Sequence, residues 1–252
     1  MHGGSRQQLW RCPQLVTPRT LVIAVNRNAR ISVVIPALNE GEHIKTTLRS
    51  LAPLRAAGHE VILVDGRSED ATVTLARTLA DHVFVAPRGR ARQMIEGARM
   101  AQGEILWFLH ADTQVPEEAH HLILDALTGT GVSWGHFAVR LTGRQGMLRV
   151  VERMMNLRSR MSGIATGDQG IFVARSAYDN AGGISDIPLM EDVELSRRLK
   201  RHSRPACVRV PLRTSSRRWE EGGVLRTIVL MWRLRLAYAL GADPGRLARH
   251  YR

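Results

Sequence analysis

Cysteine and lysine are both scarce in this sequence. Its two cysteines, Cys12 and Cys207, stand far apart in a chain of 252 residues and lack the spacing of metal or redox motifs. A cysteine-based metal or redox centre is therefore excluded, and a reduced, cytoplasmic protein is expected. The only lysines are Lys45 and Lys200, although the formal net charge is +13. Arginine therefore carries nearly all of the positive charge.

The sequence also lacks a segment with the character of a membrane span. Its longest apolar-rich stretch, residues 224–240, contains Arg226, Arg233 and Arg235, whereas a spanning helix needs about 20 mostly apolar residues. Residues 21–25 are apolar but too few for a signal-peptide core, and no small-residue cleavage site follows them. We therefore expect neither a spanning helix nor a cleaved leader.

Two glycine-rich phosphate-binding motifs are missing as well. No Gly-x-Gly-x-x-Gly follows any predicted strand, which disfavours a dinucleotide-binding fold of the dehydrogenase kind. No Gly-x-x-x-x-Gly-Lys occurs, which excludes the phosphate-loop NTPases.

The positive charge is concentrated at the C-terminal end. Residues 197–252 contain 15 Lys and Arg against 3 Asp and Glu, so +12 of the net +13 lies there. Such a basic end indicates an anionic partner, which is a nucleic acid, membrane phosphates or a phosphorylated substrate. A genome biased towards arginine codons is a competing explanation.

Four strand patterns alternate with helical patterns in the first half of the chain. Buried strands are predicted over 31–35, 60–65 and 105–109, with a further strand over 82–86, and Pro36 is expected to end the first. This alternation indicates an α/β fold with a mostly parallel, Rossmann-like sheet flanked by helices. Further elements are predicted as helices over 117–127, 147–161 and from Pro188 to about His202, and as strands over 134–140 and 171–173.

Polar residues follow the fourth strand immediately. His110 and Asp112 lie two positions apart, and side chains at i and i+2 of an extended segment point the same way. Ligands bind at the carboxyl ends of parallel strands, so the pair could hold a divalent cation and the cation a diphosphate. Two solvated polar residues at a strand end are the alternative interpretation.

Four motifs follow one another along the chain. They are VIPALNE at 34–40, VDGRSEDAT at 64–72, FLHADT at 108–113, and Gly182-Gly183 followed by MEDVELSRRL at 190–199. In this order they resemble the inverting, nucleotide-sugar-dependent glycosyltransferases of family 2, which have the GT-A fold. A bacterial subgroup is similar in more detail, with His-Ala-Asp-Thr in place of Asp-x-Asp, GDQ at 167–169 and RRWE at 217–220.

Three regions are expected. Residues 1–29 are polar and broken by Gly3, Gly4, Pro13 and Pro18, so a poorly ordered extension is expected there, with one short strand over 21–25. The resemblance implies that residues 30–215 form the GT-A domain. Residues 216–252 are expected to form a basic helical extension that packs on this domain or on a membrane surface.

The resemblance also implies a donor site. Asp65 is expected to accept a hydrogen bond from the nucleotide base, most often uracil. Asp112 is expected to bind Mg²⁺ or Mn²⁺, which neutralises the leaving diphosphate. His110 stands where the family has its first aspartate, as a second metal ligand or a diphosphate contact. Further expected nucleotide-sugar contacts are Pro36, Ala37, Asn39, Glu40, Arg67, Arg90, Arg92, Ala111, Asp168, Gln169, Arg218 and Trp219.

Asp192 is the general base that the resemblance implies. It would take the proton from an acceptor hydroxyl that attacks the anomeric carbon opposite the nucleotide, and Glu191 would orient acceptor hydroxyls. Both fall in the first turn of the predicted helix from Pro188, where the helix dipole favours the ionised carboxylate. Complementing that dipole is the alternative role for Asp192.

The expected partners are a nucleotide sugar, with UDP as the favoured nucleotide, and an unidentified acceptor hydroxyl on a lipid, a carotenoid-like compound or a small molecule. Residues 224–240 either lie on the inner face of the cell membrane as an amphipathic helix or pack in the core or a homodimer.

A nucleotidyltransferase is disfavoured because no glycine- and arginine-rich signature follows the first strand. A basic membrane or nucleic-acid adaptor leaves the acidic strand ends unexplained, because carboxylates repel phosphates without a cation, so no nucleic-acid partner is expected.

Overall fold

The computed structural model describes residues 9–10, 25–129 and 131–251. Most of the predicted N-terminal extension, including 21–24 of the short strand expected there, lies outside the described residues.

A single mixed sheet forms the centre of the described fold. Its strand order is β1-β9-β7-β8-β5-β2-β3-β4, and β6 pairs with β9. The half formed by β5, β2, β3 and β4 is parallel, as predicted, and β8 joins it antiparallel to β5. The strands are β1 Leu9–Trp10, β2 Ile31–Ala37, β3 Glu60–Asp65, β4 His82–Val85, β5 Ile105–Phe108, β6 Thr113–Gln114, β7 Trp134–Leu141, β8 Phe172–Ala174 and β9 Ala206–Thr214.

Helices cover both faces of this sheet, which is why its central strands are apolar on both sides. In β2, Val33 packs in the same cluster as Ile44 and Leu48, whereas its neighbour Val34 packs with Met94 on the opposite face. The helices are α1 Ile44–Ser50, α2 Ala52–Ala56, α3 Thr72–Ala76, α4 Arg90–Met100, α5 Ala119–Leu127, α6 Gly146–Ser162, α7 Arg175–Asn180, α8 Glu191–His202, α9 Arg217–Glu221, α10 Val224–Ala239 and α11 Pro244–His250.

Strand β2 continues through Pro36, so the prediction that Pro36 ends it was wrong. Pro36 pairs with Val64 of β3, but the pairing of β2 with β5 ends at Val34. A proline, which has no N–H to donate, is tolerated where one neighbouring strand is no longer paired.

The sequence did not indicate β9, although it is the longest strand described. Val208, Val210 and Leu212 alternate with polar positions, but Pro211 within the run argues against a central strand. The register between β7 and β9 shifts between Phe137 and Ala138, which pair with Val208 and Pro211. This irregularity accommodates the proline within a paired strand.

The C-terminal helices pack back onto the domain. Trp219, Val224 and Ile228 contact a cluster formed by β7 and α6, and Leu234 and Leu247 cluster with the segment that precedes α8. No helix in the described ranges is long and apolar enough to cross a membrane.

Candidate functional site

An open cavity of about 310 Å³ lies at the carboxyl ends of β2 and β5. The turns after these two strands form one wall, and the start of α8 with the 3-10 turn Gly167–Gln169 forms another. The C-terminal region forms the remaining wall, with residues of α9 and α10 and with Tyr251. Of the residues expected from the sequence, those in the walls are Pro36, Glu40, Arg90, His110, Ala111, Asp112, Asp168, Asp192, Arg218 and Trp219.

Arg90, the first residue of α4, connects three of these groups. Its Nε donates a hydrogen bond to Glu191, and its Nη1 lies 3.0 Å from Nε2 of His110. Its Nη2 lies 3.5 Å from Oδ2 of Asp192. Burial lowers the pKa of Arg90, but the charges of Glu191 and Asp192 outweigh burial and raise it. Arg90 thus supplies the positive charge between two acids and an imidazole.

Helix α8 places Glu191 and Asp192 in its first turn, as predicted. The helix begins at Glu191 and not at Pro188, because Met190 has a left-handed φ of 69° that interrupts the helix there. Oδ2 of Asp192 accepts a hydrogen bond of 2.7 Å from the backbone N–H of Gly167, which fixes the carboxylate in the cavity wall. Glu191 is 1% exposed and hydrogen-bonded to Arg90, so it lies behind the cavity wall and holds the Arg90 side chain in place.

His110 faces Asp168 and Arg90. Its Nδ1 lies 3.2 Å from Oδ1 of Asp168. Burial lowers the pKa of His110, but the hydrogen bond to Asp168 and the charges of Asp168 and Asp112 raise it overall. Burial raises the pKa of Asp168, and His110 and Arg90 reverse this and lower it to about 2. With both ring nitrogens engaged, His110 has no free nitrogen to offer a cation in this geometry.

Asp112 and Glu40 are two further carboxylates in the walls of the cavity. Oδ1 of Asp112 lies 3.3 Å from the hydroxyl of Thr214, which the β6–β9 pairing brings beside it. Oε2 of Glu40 is buried and has no hydrogen-bond partner among the described residues; Nη2 of Arg217 lies 3.8 Å away. Burial and the charge of Asp112 raise the pKa of Glu40 against the effect of Arg217.

This pair fits a divalent cation. Mg²⁺ binds through one or two carboxylates together with waters and substrate phosphates and needs no complete protein cage. Within the described ranges no group of three or more His, Cys, Asp or Glu is arranged to hold a metal ion. Of the two expected metal ligands, His110 and Asp112, only Asp112 therefore keeps an open oxygen, and Glu40 is the residue that could accompany it.

The turns after β2 and β3 are locked together around Asp65. The two oxygens of Asp65 accept hydrogen bonds from the backbone and the hydroxyl of Ser68 at 2.9 and 2.5 Å. The same hydroxyl accepts a bond of 2.8 Å from the N–H of Asn39. Asn39 and Arg67 adopt left-handed φ values of 54° and 67° in these tight turns. Gln93 holds the carbonyl of Ala37 at 2.6 Å.

Several expected contacts lie outside this cavity. Arg67 and Arg92 line a second, more open depression with Pro87 and Arg88, and Nε of Arg92 lies 3.1 Å from Asp186. Gln169 is fully buried, and its amide donates to Ser159 at 2.9 Å. The expectation that Gln169 meets sugar hydroxyls was therefore wrong, because a buried amide satisfies its hydrogen bonds inside the protein.

Beyond Arg218 and Trp219, the sequence did not reveal what the C-terminal end contributes. The guanidinium of Arg218 lies 3.6 Å from the ring centre of Tyr251 and donates to the Tyr251 carbonyl at 3.0 Å. Thr227, Met231 and Arg235 of α10 line the same cavity. Tyr251 and these three residues of α10 belong to no recognised motif, so only the folded chain shows that they reach the site.

Comparison with known proteins concerns the family and the fold of this chain. The model of the family described as Glycosyl transferase family 2 matches residues 32–176. Poly-beta-1,6-N-acetyl-D-glucosamine synthase of Staphylococcus aureus (strain COL) is 28% identical over 109 residues, which cover 41% of this chain. The match spans 26% of that relative, so the two chains share about a quarter of its length.

Two solved structures have the same fold. S. aureus TarS 1-349 in complex with UDP-GlcNAc has a TM-score of 0.56 at 18% identity, over 74% of this chain and 58% of that one. The mannosyltransferase PcManGT from Pyrobaculum calidifontis, in complex with GDP-Man and Mn²⁺, has a TM-score of 0.60 at 20% identity, over 92% and 72%. The predicted GT-A fold is confirmed. Because the family model matches more than half of the sequence, this chain belongs to glycosyl transferase family 2.

Proposed function

We propose that this protein transfers a sugar from a nucleotide sugar to an acceptor hydroxyl with inversion at the anomeric carbon. The observation that carries the proposal is the presence, in one cavity, of Asp192 at the start of α8 and the carboxylates of Asp112 and Glu40. The first supplies a base and the others a place for a diphosphate-bound cation. Because the chain belongs to glycosyl transferase family 2, neither a nucleotidyltransferase activity nor a non-catalytic adaptor role is needed to explain its motifs.

The nucleotide is proposed to lie over the turns after β2 and β3. Asp65 is 1% exposed, so it would accept from the imide N–H of a uracil only after its surroundings rearrange. Each carboxylate oxygen can accept more than one hydrogen bond, so its bonds to Ser68 could be kept. Arg67, two residues further on, would then lie beside the nucleoside, and Asn39 would shape the turn. Relatives of this fold bind UDP-GlcNAc and GDP-Man, and UDP is the nucleotide that we propose here.

The diphosphate is proposed to lie near Asp112 and Glu40. A Mg²⁺ or Mn²⁺ ion held by these carboxylates would neutralise the leaving diphosphate. Arg217 and Arg218, in the same cavity, can contact phosphate oxygens bidentately. His110 and Asp168 hold Arg90 in place beneath this region, so we assign them to positioning.

Asp192 is proposed to accept the proton of the acceptor hydroxyl. The N–H of Gly167 and the guanidinium of Arg90 hold its Oδ2, which orients the carboxylate before substrate arrives. General bases of this kind contribute about 10²–10⁴ in rate. Glu191 is buried against Arg90, so we propose that it acts on the reaction by positioning Arg90.

A thermal-shift panel of nucleotide sugars and nucleoside diphosphates, with and without Mn²⁺, tests the proposal. A donor at about 100 times its Kd should add ~2.7 kcal/mol to the free energy of unfolding. Asp112→Asn should remove the Mn²⁺-dependent part of the shift, whereas Asp186→Asn, an exposed acid outside the cavity, should not. If no nucleoside diphosphate or nucleotide sugar shifts the melting temperature under any metal condition, the proposal is wrong.

A further inference from the structure

Helices α6 and α10 each expose a stripe of large apolar side chains. The spacing of three and four residues places each set along one side of its helix. Their exposed fractions lie between 44% and 79%, so they are not covered by the rest of the described chain. The residues are Met147, Val150, Met154, Leu157 and Met161 along α6, and Leu225, Val229, Trp232, Leu236 and, at its C-cap, Leu240 along α10.

The two helices are neighbours. Leu148, Val151 and Met155 of α6 form one apolar cluster with Val224 and Ile228 of α10. Other sides of the helices therefore make the core contacts, and the two stripes remain on the outside of one helix pair. Monomeric proteins in water rarely expose contiguous apolar patches of this extent, and such patches mark interaction sites.

Uncompensated positive charge accompanies the stripes. Arg144 and Arg153 on the α6 side and Arg226 and Arg233 on α10 are exposed, and the ion pairs of the described residues include none of the four. Helix α10 contains no acidic residue. The single acid of α6, Glu152, is buried and pairs with Arg149 at 2.9 Å.

This charge selects among the partners that could cover an apolar surface. A second copy of the chain would bring two arginine-rich faces together, and like charges across an interface are unfavourable. An anionic bilayer offers phosphates to the arginines and an acyl boundary to the apolar stripes.

We propose that the face formed by α6 and α10 binds the surface of an anionic lipid bilayer, with the apolar stripes at the boundary between headgroups and acyl chains. Thr227 and Met231, on another side of α10, line the candidate cavity. Binding through α10 therefore places the cavity beside the bilayer. An acceptor hydroxyl carried by a lipid would reach the site directly from the membrane surface.

Vesicle co-sedimentation of the full chain tests this proposal without any nucleotide sugar, so its outcome is independent of the proposed reaction. The protein should bind vesicles of phosphatidylcholine with phosphatidylglycerol more tightly than phosphatidylcholine alone, and added salt should weaken binding. The double variants Trp232→Glu/Leu236→Glu and Met154→Glu/Leu157→Glu should each weaken partitioning by about tenfold or more. Val85→Glu, a matched change at an exposed apolar residue of β4, should bind like wild type.

Tryptophan fluorescence provides a second readout that unfolding would not mimic. Insertion of Trp232 should shift emission to shorter wavelength on anionic vesicles, and Trp232→Phe should still bind while losing this shift. Variants whose thermal melt differs from wild type are excluded before comparison. Equal binding by wild type and both double variants would overturn the proposal. A second result would also overturn it: wild type does not bind vesicles, light scattering shows that it is a dimer, and the double variants are monomers.

Discussion

Replacing Arg90 by methionine should destabilise the protein. The substitution keeps an unbranched apolar stem and removes the guanidinium whose charge Glu191 and Asp192 share. Glu191 is 1% exposed, so its carboxylate would remain in a poorly solvated position without a counter-ion. His110 would also lose the partner of its Nε2.

The magnitude follows from burial. Removing one partner of a fully buried ion pair costs about 3–5 kcal/mol. The side chain of Arg90 is 36% exposed, so solvent screens part of this interaction, and we expect a loss of about 2 kcal/mol. For a chain of this length, that corresponds to a decrease of roughly 4–8 °C in Tm.

Differential scanning calorimetry at neutral pH is the assay, and Arg92→Met is the matched control on the same helix. Arg92 pairs with Asp186, and both side chains are 55% exposed, so the control should cost less than about 1 kcal/mol. Equal destabilisation by the two variants at neutral pH would refute the ionic arrangement assigned to Arg90.

Two further predictions concern the neighbours of Arg90. Asp168→Asn should lower the pKa of His110, measured by NMR of the imidazole, because it removes the hydrogen bond and charge that raise it; an unchanged pKa would contradict the pairing. The Asp168 contribution to stability, present above its unfolded pKa of 3.8, should be lost as the pH falls towards its folded value of about 2. Gly167→Ala should cost about 1–3 kcal/mol, because a Cβ there would collide with Nε2 of His110. Gly146→Ala, where a Cβ meets nothing within 4 Å, is the control, and similar melts for the two would rule out the crowding.

The parallel half of the sheet could be predicted because each of its strands is a short apolar run with a turn after it. Local patterns of this kind depend on neighbouring residues alone. The same patterns located Asp112 after β5 and Asp192 in the first turn of α8. The cavity then brings both residues together, as the order of the motifs predicted.

The rest of the site depends on contacts between distant parts of the chain. Arg90 and Glu191 are 101 positions apart, and no local pattern pairs them. Glu40 is buried close to the charge of Asp112. The sequence alone does not show this, because the two residues come together only when β2 and β5 are adjacent in the sheet. The contribution of Tyr251 likewise requires the C-terminal helices to fold back over the cavity.

The role of Asp192 is the central claim, and donor binding and turnover measured side by side in Asp192→Asn test it most directly. The isosteric amide keeps the acceptor for the N–H of Gly167, so the nucleotide sugar should bind with an unchanged Kd by calorimetry. Turnover, followed as nucleoside diphosphate released during transfer or hydrolysis, should fall by about 10²–10⁴. Turnover at the wild-type rate with normal donor binding would contradict the account and remove Asp192 from the reaction.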